Sequence, residues 1–275
     1  MTKTRSCPIY SAVLISAICA NGCRERATSQ PQAFHLPPPA QAAQTALSGL
    51  VQTDVLPSAH GQVHDPAHPP IDCPLHKLGV DPAHVRPFED AEKYIAFLEK
   101  PERAVWQKPD AVVAALALTG SETIIDVGAG SGYFSFRFAK ALPTGKVISE
   151  DTEPEMVRHI HHKVMSEGIT NIQAVLSKPE DPELAGSADW VFICDVLHHV
   201  PERQAWVNHL GSEMKRGAKL ALVEFKEGKL PEGPPESVKI PRAQLISLFG
   251  SAGLSLDSEK PDLLPYQVFL VFRKS

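Results

Sequence analysis

The chain has 275 residues, a formal net charge of −5, and 43% hydrophobic against 21% charged residues, a balance that excludes both a membrane-embedded and a wholly disordered protein. No long basic stripe interrupts it, which argues against a nucleic-acid partner. At roughly 150 residues per domain the length allows about two domains, but 25 prolines against 7% aromatic residues imply that part of the chain does not pack.

Lys3 and Arg5 precede an apolar run at residues 9–20, long enough for the core of a secretory signal and too short for a bilayer span. The run ends in Ala20-Asn21-Gly22-Cys23, which resembles the processing site of bacterial lipoproteins, where the cysteine becomes the lipidated first residue of the mature chain. Ala20 departs from the aliphatic residue usual at that place. On this reading residues 1–23 are the signal, Cys23 carries lipid, and the protein is held on a bacterial membrane; the other reading is an ordinary secretion signal or an uncleaved anchor. Between residues 27 and 70 only Asp54 and Asp65 are charged and only Phe34 is aromatic, so residues 24–85 read as a disordered Pro/Ala/Gln/His-rich linker. His60, His64, His68, His76 and His84 lie among prolines that forbid a regular helix, and no metal site is expected there. Once the signal and Cys23 are accounted for, only Cys73 and Cys194 remain, too few for a disulfide framework.

Residues 86–275 have ordinary composition and suffice for one core. Helical spacing of Phe88, Ala91, Ile95 and Leu98 predicts a helix over 88–99 that stops at Pro101. A second spans 109–118, with Pro109 in its first turn. The segment 103–110 between them is too polar for a simple core element. Strands follow at 123–127, 146–149, 172–176, 190–194 and 220–225, with helices at 133–141, 154–167 and 202–214 between them. A helix at 242–252 and strands at 254–257 and 267–272 close the chain. Such alternation predicts a doubly wound, mainly parallel, seven-stranded α/β sandwich of Rossmann-like form.

The strand 123–127 runs directly into Gly128-Ala129-Gly130-Ser131-Gly132 and a helix. Glycines there let backbone amides approach a ligand beside a helix N-terminus, at the carboxyl edge where open α/β sheets bind ligands. The third glycine comes one place too early for a dinucleotide site, and Tyr133 stands where Gly or Ala is needed, which argues against NAD. Asp126 sits at the strand end, placed either to face a cationic amino group or to cap the following helix. Asp151, with Glu150 beside it, ends the next strand and is placed to accept both hydroxyls of a ribose. An amino acid joined to a nucleoside satisfies both carboxylates.

These residues resemble the class I S-adenosylmethionine-dependent methyltransferases over roughly residues 88–273. The resemblance assigns Asp126, Gly128, Ala129, Gly130 and Gly132 to the cofactor loop, Asp151 and Thr152 to the ribose end, and Asp195 and Val196 to the segment lining the methyl-transfer site. Glu150 stands where that family has an apolar residue, so either neighbouring carboxylate serves the ribose, with Asp151 in the family position. The acidic residue that reads adenine is replaced by Ser177-Lys178-Pro179-Glu180-Asp181, which leaves Glu180 or Asp181 for that role or for a solvated loop. The flanks Trp106 to Asp110 and Leu264 to Gln267 look like those of an uncharacterised bacterial subgroup, which suggests Trp106, Gln107, Tyr133 and Tyr266 on the acceptor side.

Methyl transfer is an in-line displacement in which the protein mainly aligns reactants and excludes water. A base is needed where the acceptor must lose a proton, and His198 or His199 is the candidate. A small molecule is the expected acceptor. The alternative function is a membrane-tethered module of the same fold that binds the cofactor without turnover. Because the cofactor is made in the cytoplasm, a cytoplasmic location competes with the exported lipoprotein.

Overall fold

The computed structural model describes residues 88–178 and 188–275. The signal segment, Cys23, the linker with its histidines, and Glu180 lie outside the described residues. Elements run in the order α1 (Phe88–Leu98), α2 (Arg103–Gln107), α3 (Pro109–Ala115), β1 (Thr123–Val127), α4 (Ser135–Ala141), β2 (Lys146–Asp151), α5 (Pro154–Glu167), β3 (Ile172–Leu176), β4 (Trp190–Cys194), a 3-10 turn (Leu197–His199), α6 (Arg203–Glu213), β5 (Lys219–Phe225), a second 3-10 turn (Glu236–Val238), α7 (Arg242–Ser251), β6 (Leu254–Glu259) and β7 (Gln267–Lys274).

The seven strands form one sheet in the order β3-β2-β1-β4-β5-β7-β6. β1 to β5 are parallel, and β7 lies antiparallel between β5 and β6. Strand side chains alternate between faces, and each face feeds its own core. Ile124, Val147, Phe192 and Val223 meet Val112 of α3, Phe138 of α4 and Ile160 of α5 on one side. Ile125, Ile148, Val191 and Leu222 meet Trp206 and Leu210 of α6 and Leu245 and Phe249 of α7 on the other. This is the doubly wound sandwich the alternation predicts. Strand order reverses between β1 and β4, and the chain therefore opens a crevice at the carboxyl ends of these two strands.

Element edges depart from the sequence reading for local reasons. β2 continues through Glu150 and Asp151 because both pair with β3, opposite Val175 and Leu176; backbone bonds make the ladder, and side-chain charge does not end it. The helix after the glycines begins at Ser135 rather than Tyr133, since Gly128, Gly130 and Gly132 all hold left-handed φ values and the turn consumes two more residues. α3 stops at Ala115 instead of residue 118, just before Ala117 at φ +52°. The polar segment after Pro101 is itself a short helix, α2, ended by Lys108 at φ +42°; Pro109 then opens α3 as its first-turn residue.

Candidate active site

The glycine turn lies in the crevice between β1 and β4, tied to β2. Ala129 N–H donates to Glu150 O at 2.9 Å, and Gly132 N–H to Ala129 O at 2.9 Å. At Gly128, φ is +66° and an added Cβ would lie 2.5 Å from Val196 Cγ2. Val196 thus props the turn by packing, in the segment where the sequence places it. Gly128→Ala is expected to lower stability by about 1–3 kcal/mol through left-handed strain and to weaken ligand binding at the turn. Denaturant unfolding with a parallel ligand titration checks both.

Asp126 and Asp151 flank this turn and feel each other's charge. Asp126 is 3% exposed and accepts the Ser135 hydroxyl at 2.5 Å, which ties β1 to the first residue of α4, while its strand-end position also suits a cation. Burial chiefly, and the Asp151 charge in addition, raise its pKa to about 7. Asp151 accepts Gly130 N–H at 2.8 Å and Glu153 N–H at 2.9 Å, one on each oxygen. Each oxygen keeps a further lone pair for a hydroxyl donor. Strand alternation puts the two adjacent acids on opposite faces: Asp151 falls on the face of Val147 and Asp126, whereas Glu150 falls on the face of Ile148. Thr152, next in the chain, is exposed.

Asp195 leaves β4 with φ +60°. Its carboxylate accepts Gln107 Nε2–H at 3.0 Å and Gln267 Nε2–H at 2.7 and 2.9 Å. It therefore joins α2 and the start of β7 rather than capping the turn after it. Burial and the Glu224 charge lift its pKa to about 6, against the opposing pull of Arg103 and His198. Gln107 also reaches Cys194 Sγ at 2.9 Å; burial and neighbouring carboxylates push that thiol far above its ordinary range. Arg103 completes the chain of contacts by donating to Gln107 Oε1 and, at 2.7 Å, to Leu98 O.

The four acceptor-side candidates fall into two groups. Trp106 packs on Tyr266 at 6.2 Å and on Phe225 at 5.7 Å between ring centroids, an aromatic wall beside Gln107. Tyr133 is held apart from them, its ring against the guanidinium groups of Arg103 and Arg137, each 4.1 Å from the centroid. The two histidines also separate. His198 is buried, with Nδ1 2.8 Å from Glu224 Oε1; burial opposes its charge, but Glu224 outweighs this and raises its pKa. His199 is the more exposed of the two and lies on the His198 ring at 4.1 Å; partial desolvation of its ring and then the charge of the neighbouring imidazole lower its pKa to about 4.

Arg103, Gln267 and Glu224 escaped the sequence reading. A single carboxylate inside Leu220-Ala221-Leu222-Val223-Glu224-Phe225 is the one signal that was available, since an acid in a buried strand needs a partner. Among the described residues no group of three or more His, Cys, Asp and Glu is placed to hold a metal ion, and no helix is long and apolar enough to cross a membrane.

A nucleoside carrying an amino acid fits the crevice on the structure's own terms. Besides the two carboxylates and the glycine cradle, the buried hydroxyls of Ser131, Tyr133 and Ser149 lack hydrogen-bond partners. Sheet order, glycine turn and strand-end carboxylates define a domain of the class I, S-adenosylmethionine-dependent methyltransferase fold. Residues 125–220 match the family model described as a methyltransferase domain. The chain is 31% identical over 123 residues to a ubiquinone/menaquinone biosynthesis C-methyltransferase of Syntrophotalea carbinolica, covering 44% of this chain and 51% of that protein. It is 27% identical over 124 residues to an uncharacterised methyltransferase of Mycobacterium tuberculosis, covering 45% and 61%. The chain thus spans about half to three-fifths of these curated relatives. A solved S-adenosylmethionine-dependent methyltransferase from Aquifex aeolicus superposes with a TM-score of 0.62 at 24% identity, over 68% of this chain and 99% of the other.

Proposed function

We propose that the protein transfers a methyl group from S-adenosylmethionine to a small-molecule acceptor. The observation that carries this reading is the pair of strand-end carboxylates, buried Asp126 and partly buried Asp151, bracketing the glycine turn at the switch point of the sheet. When bound, S-adenosylmethionine supplies an electrophilic methyl group on a positively charged sulfur. The chain supplies placement. Asp126 takes the amino group, the spare lone pairs of Asp151 take the ribose hydroxyls, and the glycines let the backbone approach without Cβ atoms. Trp106, Phe225 and Tyr266 exclude water on the acceptor side, and Asp195, fixed by Gln107 and Gln267, holds α2 and β7 against that space.

The full chain incubated with methyl-labelled S-adenosylmethionine and fractionated small-molecule extract tests this. Transfer of label to a component of the extract is expected; cofactor binding with no transfer supports a tethered binding module instead. The proposed anchor at Cys23 has its own test. Mass spectrometry of the native N-terminus is expected to find a lipidated Cys23, and an unmodified Met1 overturns it.

A further inference from the structure

Glu224 is 1% exposed at the end of β5, and among the described residues no Lys or Arg forms an ion pair with its carboxylate. Its Oε1 accepts the Phe225 amide at 3.0 Å and lies 2.8 Å from His198 Nδ1. A carboxylate accepts and does not donate, so in the neutral ring Nδ1 carries the hydrogen and Nε2 the lone pair. Arg203 at the start of α6 locks the turn that bears this imidazole, donating to Leu197 O at 3.0 Å and His198 O at 3.3 Å.

This oriented imidazole borders the aromatic wall. His198 meets Phe225 edge-on at 6.3 Å, Phe225 meets Trp106, and Trp106 meets Tyr266. At the same junction three buried polar atoms lack protein partners: Glu224 Oε2, Trp106 Nε1 and Gln267 Oε1. Flat apolar walls ask for a planar apolar body, and the unpartnered donor and acceptors ask for a polar edge on it. His199 makes no comparable contact, and its ring is exposed.

We propose that the acceptor is a planar molecule bearing an ionisable hydroxyl, that His198 removes the hydroxyl proton, and that Glu224 is the positioning residue that fixes the His198 tautomer. This rests on the methyl-transfer reading above. The O–H bond breaks and its proton passes to His198 Nε2. An oxygen lone pair forms the new bond to the methyl carbon, and the carbon–sulfur bond breaks with its electron pair left on sulfur. The products are a methyl ether, S-adenosylhomocysteine and one proton, which leaves His198 for solvent.

The test uses 4-nitrocatechol, whose phenolate absorbs visible light, added to the full chain together with S-adenosylhomocysteine. A nearby imidazolium lowers the pKa of a bound phenol, by about 1–3 units for a close opposite charge. The groups facing His198 are Glu224 from β5, Asp195 from the end of β4, His199 beside it and Arg203 from α6. The bound probe is expected to ionise about one pH unit below the free probe, and Glu224→Gln and His198→Gln each to abolish that shift. Glu224→Asp is expected to restore part of it. Nitrogen-resolved NMR of the His198 ring provides a readout independent of the probe: the hydrogen on Nδ1 is expected in the wild type and a mixture of tautomers in Glu224→Gln. A probe that fails to bind, or that ionises as it does in water, overturns the proposal even if S-adenosylmethionine binds. If S-adenosylmethionine itself does not bind the wild type in calorimetry, the methyl-transfer reading fails first.

Discussion

Asp151→Ala is expected to weaken S-adenosylmethionine binding about 100-fold, close to 3 kcal/mol, because it removes a charged acceptor proposed to be shared by two ligand hydroxyls in a partly buried site. The loss has two parts. Ribose hydroxyls lose their partner, and Gly130 and Glu153 lose the acceptor of their amides, so the turn itself loosens. Asp151→Asn separates them. It keeps an acceptor oxygen for one amide but offers an NH2 group where the other oxygen stood, and its affinity is expected to fall between wild type and the alanine variant. Calorimetry on the three proteins checks the order, with Glu150→Gln as a comparison. Glu150 faces the other side of the sheet, and a larger effect there than at Asp151 would contradict the placement.

The second large effect is a pH dependence set by Asp126. Its folded pKa lies near 7 against 3.8 for the ordinary group, chiefly because burial penalises the charged form. A carboxyl raised in this way contributes its full stability below its unfolded pKa and loses it as pH climbs through the folded value. Between pH 4 and 7 the wild type is therefore expected to lose about 3 kcal/mol relative to Asp126→Asn, at 1.36 kcal/mol per pKa unit. Denaturant unfolding at several pH values reads the difference between the two proteins. That comparison cancels the same-signed contribution of Asp195, which is also raised, and includes the mutual repulsion of Asp126 and Asp151. Ligand binding acts in the opposite sense. A cationic amino group beside Asp126 favours its charged form, so binding at pH 6 is expected to release a proton, seen as a buffer-dependent calorimetric enthalpy that Asp126→Asn lacks.

Both predictions concern residues the sequence exposes, and the reason is physical. A β-branched strand, three alternating glycines and an acid at each of two strand ends are local features, each readable within a few residues. Seven strands were legible for the same reason, since alternation and turn residues mark each one. What was not legible depends on contacts between distant segments. Gln107 and Gln267 stand 160 positions apart and meet only because β7 inserts antiparallel beside β5 while α2 folds over the edge. The neighbouring histidines were indistinguishable in sequence, and only Glu224, 26 positions further on, separates the buried one from the exposed one. The helix α2 was obscured by its own polarity: Arg103 and Gln107 bury their polar ends in contacts with Leu98 and Asp195 rather than in solvent.

The same long-range contacts give the domain its division of labour. The half nearest β1 and β2 carries the local motif and the proposed nucleoside and amino-acid contacts. The half nearest β5 and β7 carries residues drawn from α2, the turn after β4 and the two C-terminal strands, and it is to this half that we assign the proposed acceptor contacts. Substitutions at Trp106 or Tyr266 are therefore expected to alter which acceptor is methylated while leaving S-adenosylmethionine affinity nearly unchanged, as a panel of labelled-transfer reactions would show.

The central claim is tested most directly by titrating S-adenosylmethionine into the full chain in a calorimeter, with S-adenosylhomocysteine and NAD in parallel. Saturable binding of the first two at a single shared site, with no binding of NAD, is the predicted result. Binding of NAD in the absence of any S-adenosylmethionine binding would contradict it.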